Sequence, residues 1–352
     1  MTPHRIAVIP GDGIGGEVIA EALRALEAVR PLLGRPVETT TFDWGAERWL
    51  RDGTTLPKGA VEDLRANYGA ILFGALGDAR VPDQVHARDI LLGLRFQLDL
   101  FVNLRPVRLL DERLTPIKDK TLADIDMMVL RENTEGLYAG VGGNFKRGTP
   151  DEIAINEDIN TRKGVERIQR AAFELARTRR RKLCMVDKAN ALVYAHGLWQ
   201  RVFKELRAEY PDVEAWHLYV DVAAMELVRA PERFDVMVTS NLFGDILTDL
   251  GAALVGGLGL APSGNIHPGR VSLFEPVHGS APDIAGKGIA NPLGAIGSLG
   301  MMLEHLGEAR AARAIEAAVA TVVRARQVTR DLGGSLSTRE AGEAVVRALA
   351  AA

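Results

Sequence analysis

The chain has a single cysteine, Cys184, so no disulfide can form within it. Cys184 lies in the apolar run Leu183 to Val186 and reads as a small core residue, which suits a reducing compartment. Net charge is also scarce: 43 Lys and Arg stand against 46 Asp and Glu, giving −3, so nothing points to nucleic acid. The one basic cluster, Arg177 to Lys182, follows an apolar-periodic helix, where cations offset the helix dipole. No apolar stretch reaches the length of a membrane span. The first residues carry no signal-peptide pattern, and the expected location is the cytoplasm. Repeats and low-complexity tracts are lacking. What remains is a globular composition, 47% hydrophobic and 25% charged, over 352 residues, long enough for two domains.

Strand and helix signals alternate, which predicts an α/β protein with a largely parallel sheet. Strands are expected at Ile6–Ile9, Val37–Phe42, Ala70–Phe73, Met127–Leu130, Leu183–Val186, Trp216–Val220 and Val236–Val238. Helices are expected over Ile14–Val29 and Ile90–Leu98, and through most of Pro292–Leu349. The stretch Ala139–Ile155 is rich in glycine and poor in apolar anchors, which fits either a disordered loop or an arm that pairs with a second subunit.

The densest signal follows the strand at Val236. Thr239, Ser240 and Asn241 offer helix-cap chemistry, and Asp245 and Asp249 then stand four apart, on one helical face. Two carboxylates so close repel unless a cation or strong donors lie between them, and a hard divalent ion takes such ligands. A solvated acidic face is the plainer reading, but Leu242, Phe243, Ile246, Leu247 and Leu250 leave little room for a mostly exposed helix. A second motif, Gly11-Asp12-Gly13-Ile14-Gly15-Gly16, with Glu38 further on, satisfies a dinucleotide fingerprint. Pro10 between strand and glycines, and the Asp12 carboxylate where a pyrophosphate would lie, argue against that use.

Several longer stretches resemble the β-decarboxylating dehydrogenases, whose members act on 3-isopropylmalate, isocitrate, homoisocitrate or D-malate and tartrate. They are Pro10–Gly15, Asp99–Pro106, Val129–Tyr138, Asp187–Asn190, Asn241–Asp249, Glu275–Ile284 and Ala290–Pro292. The resemblance implies a non-Rossmann two-domain fold. Residues 1–100 with 256–352 would hold the cofactor; residues 101–255 would hold substrate and metal and form the dimer, with an interlocking arm at about 139–158. It also implies a homodimer with shared sites, NAD, and Mg²⁺ or Mn²⁺. Asp245 and Asp249, with Asp221 of the other subunit, match the metal ligands; Asp221 alone reads equally as a helix N-cap. Arg95, Arg105 and Arg131 match the arginines that grip substrate carboxylates, and guanidinium suits that task. Tyr138 matches the proton donor, and Lys188 matches the base that takes the hydroxyl proton.

For the cofactor, the resemblance implies contacts from Gly74, Ala75, Leu76, Asn190, Glu275, His278, Gly279, Ser280, Ala281, Asp283, Ile284 and Asn291. Asp283 would accept hydrogen bonds from a ribose 2′-hydroxyl and repel a 2′-phosphate, so NAD is expected over NADP. Leu91 and Leu92 match an apolar wall suited to an alkyl substituent, which places 3-isopropylmalate first. Arg88 departs from that pattern and is a candidate for a third carboxylate. The arm sequence looks more like D-malate and tartrate enzymes, which come second, with a tricarboxylate third. A non-catalytic regulatory subunit is the rival class, though Tyr138, Lys188 and all three aspartates are present.

Overall fold

A computed structural model describes residues 2–351. Its centre is one ten-stranded sheet in the order β2-β1-β3-β12-β11-β4-β5-β10-β8-β9. The strands are β1 (His4–Gly11), β2 (Val37–Thr41), β3 (Ala70–Ala75), β4 (Val102–Arg108), β5 (Asp126–Glu132), β8 (Lys182–Asp187), β9 (Glu214–Tyr219), β10 (Val236–Thr239), β11 (Pro262–Ile266) and β12 (Ser272–Pro276). The remaining two, β6 (Gly142–Phe145) and β7 (Ile153–Asn156), form a separate antiparallel hairpin. The expected arm is therefore an ordered ribbon, and Phe145, Ile153 and Ile155 on it are exposed.

The strands on either side of the middle pair in parallel; the inner ones are apolar because helices cover both faces, with all six residues of β3 and all four of β10 buried, whereas the edge strand β2 buries only Val37. The middle differs from expectation. β12-β11, β11-β4 and β4-β5 are antiparallel, so the sheet is mixed. Neither β4 nor β11 reads as a plain apolar run, because each carries proline and buried polar residues. Pro106 is tolerated in β4 because β11 pairs only with Val102 to Leu104, leaving one side of the strand without a ladder partner there.

Alternation along these middle strands separates two environments. Asn103 and Arg105 point to one face, where Asn265 and Glu275 also lie. Leu104, Pro106, Met128, Ile266 and Phe274 line a cavity of 630 Å³ on the other face. That larger cavity is mostly apolar and does not include the arginines expected to hold substrate.

Helices Gly15–Val29, Leu293–His305, Ala309–Arg324 and Thr338–Ala350 pack as one core against β1 and β3. Helices Arg162–Thr178 and Ala195–Glu209 cover one face of β8 and β10, with Trp199 and Phe173 fully buried. Val220–Arg229 and Asn241–Leu254 contribute to the core on the other. The basic cluster does more than offset a dipole. Arg179 donates to the fully buried Asp235 and to Asp126, and the Arg180 main chain also donates to Asp235. The segment expected as one helix from Ile90 begins instead as a π turn, Arg88–Leu92, followed by a short α-helix, Gly93–Gln97. No helix among the described residues is long and apolar enough to cross a membrane.

Candidate active site

The acidic helix Asn241–Leu254 starts at the end of β10, beside β5. Ser240 is its N-cap residue but makes no side-chain cap bond. The polar residues there are used otherwise. Thr239 Oγ1 donates to the Val186 carbonyl, and the Asn241 carboxamide accepts from Arg131 Nε at 2.9 Å. Gly244 is required because a Cβ would lie 2.5 Å from Arg131 Cγ.

Around this helix the structure assembles a single polar network. Arg105 donates to Asn103 Oδ1 at 2.8 Å, to Thr248 Oγ1 at 2.7 Å and to Asp245 Oδ1 at 3.2 Å. Its Nη1 is also 3.6 Å from Asp249 Oδ1, so both acids meet one guanidinium, as the four-residue spacing predicts. Arg131 pairs with Asp245 and lies over the Tyr138 ring. The Tyr138 hydroxyl donates to Asp245 Oδ2 at 2.7 Å. From Asn103 the network runs through Asn265 to Glu275, which accepts from Asn265 at 2.8 Å and from Arg95 Nη2 at 2.9 Å. Arg95 Nε is buried with no partner, a donor left for something else.

Electrostatics follow from this packing. Burial lowers the pKa of Arg105, and burial together with Arg105 and Arg95 lowers that of Arg131. Arg95, Arg105 and Arg131 are confined together with Asp245, Asp249 and Glu275, three guanidinium groups against three carboxylates. Burial alone would raise the Asp245 carboxyl, but Arg131, Arg105 and the Tyr138 hydroxyl together hold it below the ordinary range. Asp249 goes the other way: burial raises it, and Asp245 adds to the rise against the pull of Arg105. Burial and the Asp245 carboxylate also raise Tyr138, so its hydroxyl keeps its proton near neutrality.

Lys188, Asn190 and Asp221 form no part of this network. Lys188 Nζ donates to Asp221 Oδ1 at 2.6 Å and sits over the Tyr219 ring. That bond lowers the Asp221 carboxyl. Asp221 is not a helix N-cap: Tyr219 holds that position and Asp221 lies in the first turn of Val220–Arg229. Asp221 is 62% exposed, and Asn190 is exposed too. Among the described residues no group of three or more His, Cys, Asp or Glu could hold a metal ion, so one chain offers two adjacent carboxylates and a separate third.

Leu91 packs against the core beneath β1 and β3, and Leu92 is half-buried in the π turn. The structure does not bring Arg88 to the other arginines: it is 63% exposed and its nearest acid is Asp89. The loop after β12 borders a second cavity of 470 Å³, lined by His278, Ala281, Ile284, Asn291, Ile14 and Arg330 among others. Asp283 is exposed beside it, as is Gly279. Asn291 is held by Asp331. His278 Nδ1 faces the Gly279 carbonyl at 3.0 Å, which makes it the N–H donor and leaves Nε2, buried and unpartnered, as an acceptor. Burial lowers the His278 pKa, so the ring is neutral. Glu275 belongs with Arg95 rather than with this cavity.

The glycine motif is packed tightly against this loop. Ile14 N donates to the Ser280 carbonyl, and Gly74 and Ala75 are buried against the turn, with Leu76 half-buried. Asp12 is a structural tie, accepting from the Ala46 and Gly77 main chains and contacting His86 at 2.8 Å. A Cβ on Gly13 would sit 2.1 Å from the Ser280 oxygen, so Gly13→Ala would disturb the cavity loop itself. Spacing alone did not single out Asn103, Thr248 and Asn265. The i, i+2 relation of Asn103 to Arg105 is the signal that would have found the first.

The sequence matches the isocitrate/isopropylmalate dehydrogenase family over residues 5–345, and the chain belongs to that family. It is 53% identical to the 3-isopropylmalate dehydrogenase of Thermobifida fusca, over 98% of each protein. It is 51% identical to that of Frankia casuarinae, over 96% of this chain and 100% of that one. Among solved structures, isocitrate dehydrogenase from Methylococcus capsulatus superposes with a TM-score of 0.89 at 42% identity, covering 98% of this chain and 99% of the other. A β-decarboxylating dehydrogenase from Thermococcus kodakarensis gives 0.80 at 37% identity, covering 99% and 96%.

Proposed function

We propose that this chain is a homodimeric 3-isopropylmalate dehydrogenase that uses NAD⁺ and Mg²⁺ or Mn²⁺. The observation that carries the reading is the convergence of Arg95, Arg105 and Arg131 on one network with Tyr138 and Asp245. Relatives named for 3-isopropylmalate at about half identity support the substrate, and Leu91 and Leu92 suit its alkyl group better than a third carboxylate.

In this reading the three guanidinium groups hold the two substrate carboxylates. Lys188 of one subunit, in its free-amine form, takes the hydroxyl proton as the C2 hydride leaves. The C–C bond to the β-carboxylate then breaks, CO₂ departs, and the Tyr138 hydroxyl of the other subunit protonates the carbon. Bound NAD⁺ would accept the hydride, and a divalent ion would supply positive charge at the reacting oxygens. Asp245, Asp249 and a second subunit's Asp221 would hold that ion. The donor set fits: all are hard oxygens, and Asp245 and Asp249 stand four residues apart on one helix. Exposed Met225, Val228 and Ile246 on two neighbouring helices support pairing with a second copy, as do the apolar arm residues. Residues 1–100 with 256–352 would form the cofactor-binding part, and 101–255 the substrate and dimer part.

The test is NADH formation from 3-isopropylmalate, D-malate, tartrate, isocitrate and homoisocitrate, each with Mn²⁺ or with chelator. Turnover should be strongest on 3-isopropylmalate and should vanish with chelator. D-malate preference would show the arm sequence to be the better guide. No turnover on any would favour a regulatory subunit.

Asp283, exposed next to the cavity-lining Ile284, supports NAD⁺ over NADP⁺. Asp283→Lys with Ile284→Tyr should invert the preference, read as the ratio of kcat/KM for the two cofactors. An unchanged ratio would sink the assignment of this loop.

A further inference from the structure

We infer that His196 is a positioning residue for Lys188, accepting the Lys188 main-chain N–H and bracing it against the base of the arm. The inference rests on the reading of Lys188 as the group that takes the substrate proton.

His196 is 1% exposed and lies at the start of the helix Ala195–Glu209. Its Nδ1 is 2.9 Å from the Lys188 amide nitrogen. An imidazole can accept that N–H only when neutral, with its remaining proton on Nε2. Nε2 faces Asp158 Oδ2 at 3.6 Å, so the tautomer that binds Lys188 also points a donor at a carboxylate. Asp158 is itself held by Asn160 Nδ2 at 2.8 Å, and Trp199, three residues on from His196, donates to Asn160 Oδ1 at 2.8 Å. The edge-on Phe243 ring, 5.2 Å away, closes the remaining side. Asp158 is the charged group that faces this ring, and Lys188 meets it through its main-chain amide.

The consequence falls on the Lys188 main chain. On its carbonyl side it is fixed by a turn, since Ala191 and Leu192 both donate to the Lys188 oxygen. On its amide side His196 is the partner. The Lys188 ammonium then reaches Asp221 and the Tyr219 ring from an anchored stem. A group that must meet a substrate proton depends on such support from behind, because small misplacements are costly.

Two variants separate this role from packing. In His196→Asn the side-chain oxygen can occupy the place of Nδ1 and keep the acceptor. In His196→Gln the carboxamide takes the place of Nε2 and leaves the Lys188 N–H unpaired. Steady-state kinetics on 3-isopropylmalate with NAD⁺ and Mn²⁺ should show kcat of the Gln variant down about tenfold to a hundredfold, with KM values within about twofold. The Asn variant should recover to within about threefold of the parent. Hydrogen exchange of the Lys188 amide, read by mass spectrometry, should quicken in the Gln variant and stay slow in the Asn variant. Because exchange needs no turnover, it decides the role of His196 even if the proposed reaction is wrong. Equal loss in both variants, or full activity with slow exchange in the Gln variant, overturns the inference. A folded Asn variant that loses both kcat and protection overturns it by itself.

Discussion

Two inactive variants, Tyr138→Phe and Lys188→Met, should regain activity when mixed as unfolded chains and refolded together. Alone, each lacks one proton-transfer group, and each should lose about 10²-fold to 10⁴-fold in kcat. The reason to expect rescue is spatial. Tyr138 is bonded to Asp245 and stacked by Arg131, while Lys188 is bonded to Asp221 and lies over the Tyr219 ring. These two groups share no hydrogen bond or ion pair within the described residues of one chain. If the site is built across a two-fold interface, random pairing makes about half the dimers mixed, and one of the two sites in each mixed dimer is intact. The refolded mixture should therefore show about a quarter of the parent activity. The measurement is NADH formation after co-refolding, with each variant refolded alone as the baseline. Failure to exceed that baseline would mean that Tyr138 and Lys188 act within one chain.

The same separation marks what could be read from the sequence. Apolar runs such as Val236–Val238 and Leu183–Val186 announce buried parallel strands because neither face needs polar residues. The acidic pair was legible because helical periodicity dictates which side chains are neighbours, and Arg105 does meet both acids. The antiparallel centre was not legible. β4 and β11 bury Asn103, Arg105 and Asn265, which look like loop residues until their hydrogen bonds close on one another. Glycine spacing likewise does not disclose that Asp12 serves two backbone amides rather than a ligand. Arg88 shows a related limit: a π turn shifts which residues share a face, and in this turn Arg88 faces solvent. Long-range pairs such as His196 with Asp158 have no local pattern at all.

Asp245→Asn and Asp249→Asn should change the metal-free protein in opposite directions, although both should abolish metal-dependent turnover. Asp245 is the counterion of Arg105 and Arg131, both nearly fully buried. Its carboxyl is held below the ordinary value, so its charge stabilises the fold above the usual carboxylate range. That contribution is lost as pH falls through the lowered folded value. Removing the charge near neutral pH leaves two buried guanidinium groups short of an anion. Breaking a buried pair costs about 3 to 5 kcal/mol, and the partial exposure of Asp245 reduces this to about 2. Asp249 has a raised carboxyl, so its ionisation is penalised in the folded state. That penalty is in force above the raised value and fades as pH falls toward the ordinary one. Asp249→Asn should therefore melt at or above the parent temperature in chelator. Adding Mn²⁺ should reverse the order, because only the parent keeps both ligands on this helix. A parent ligated at a hundredfold excess over Kd gains about 2.7 kcal/mol, while each variant gains little. Thermal melts of the three proteins, with chelator and with Mn²⁺, make the comparison. If Asp249→Asn proves the less stable of the two variants in chelator, the two aspartates do not divide the work as their surroundings imply. A cation would then not be needed to reconcile them.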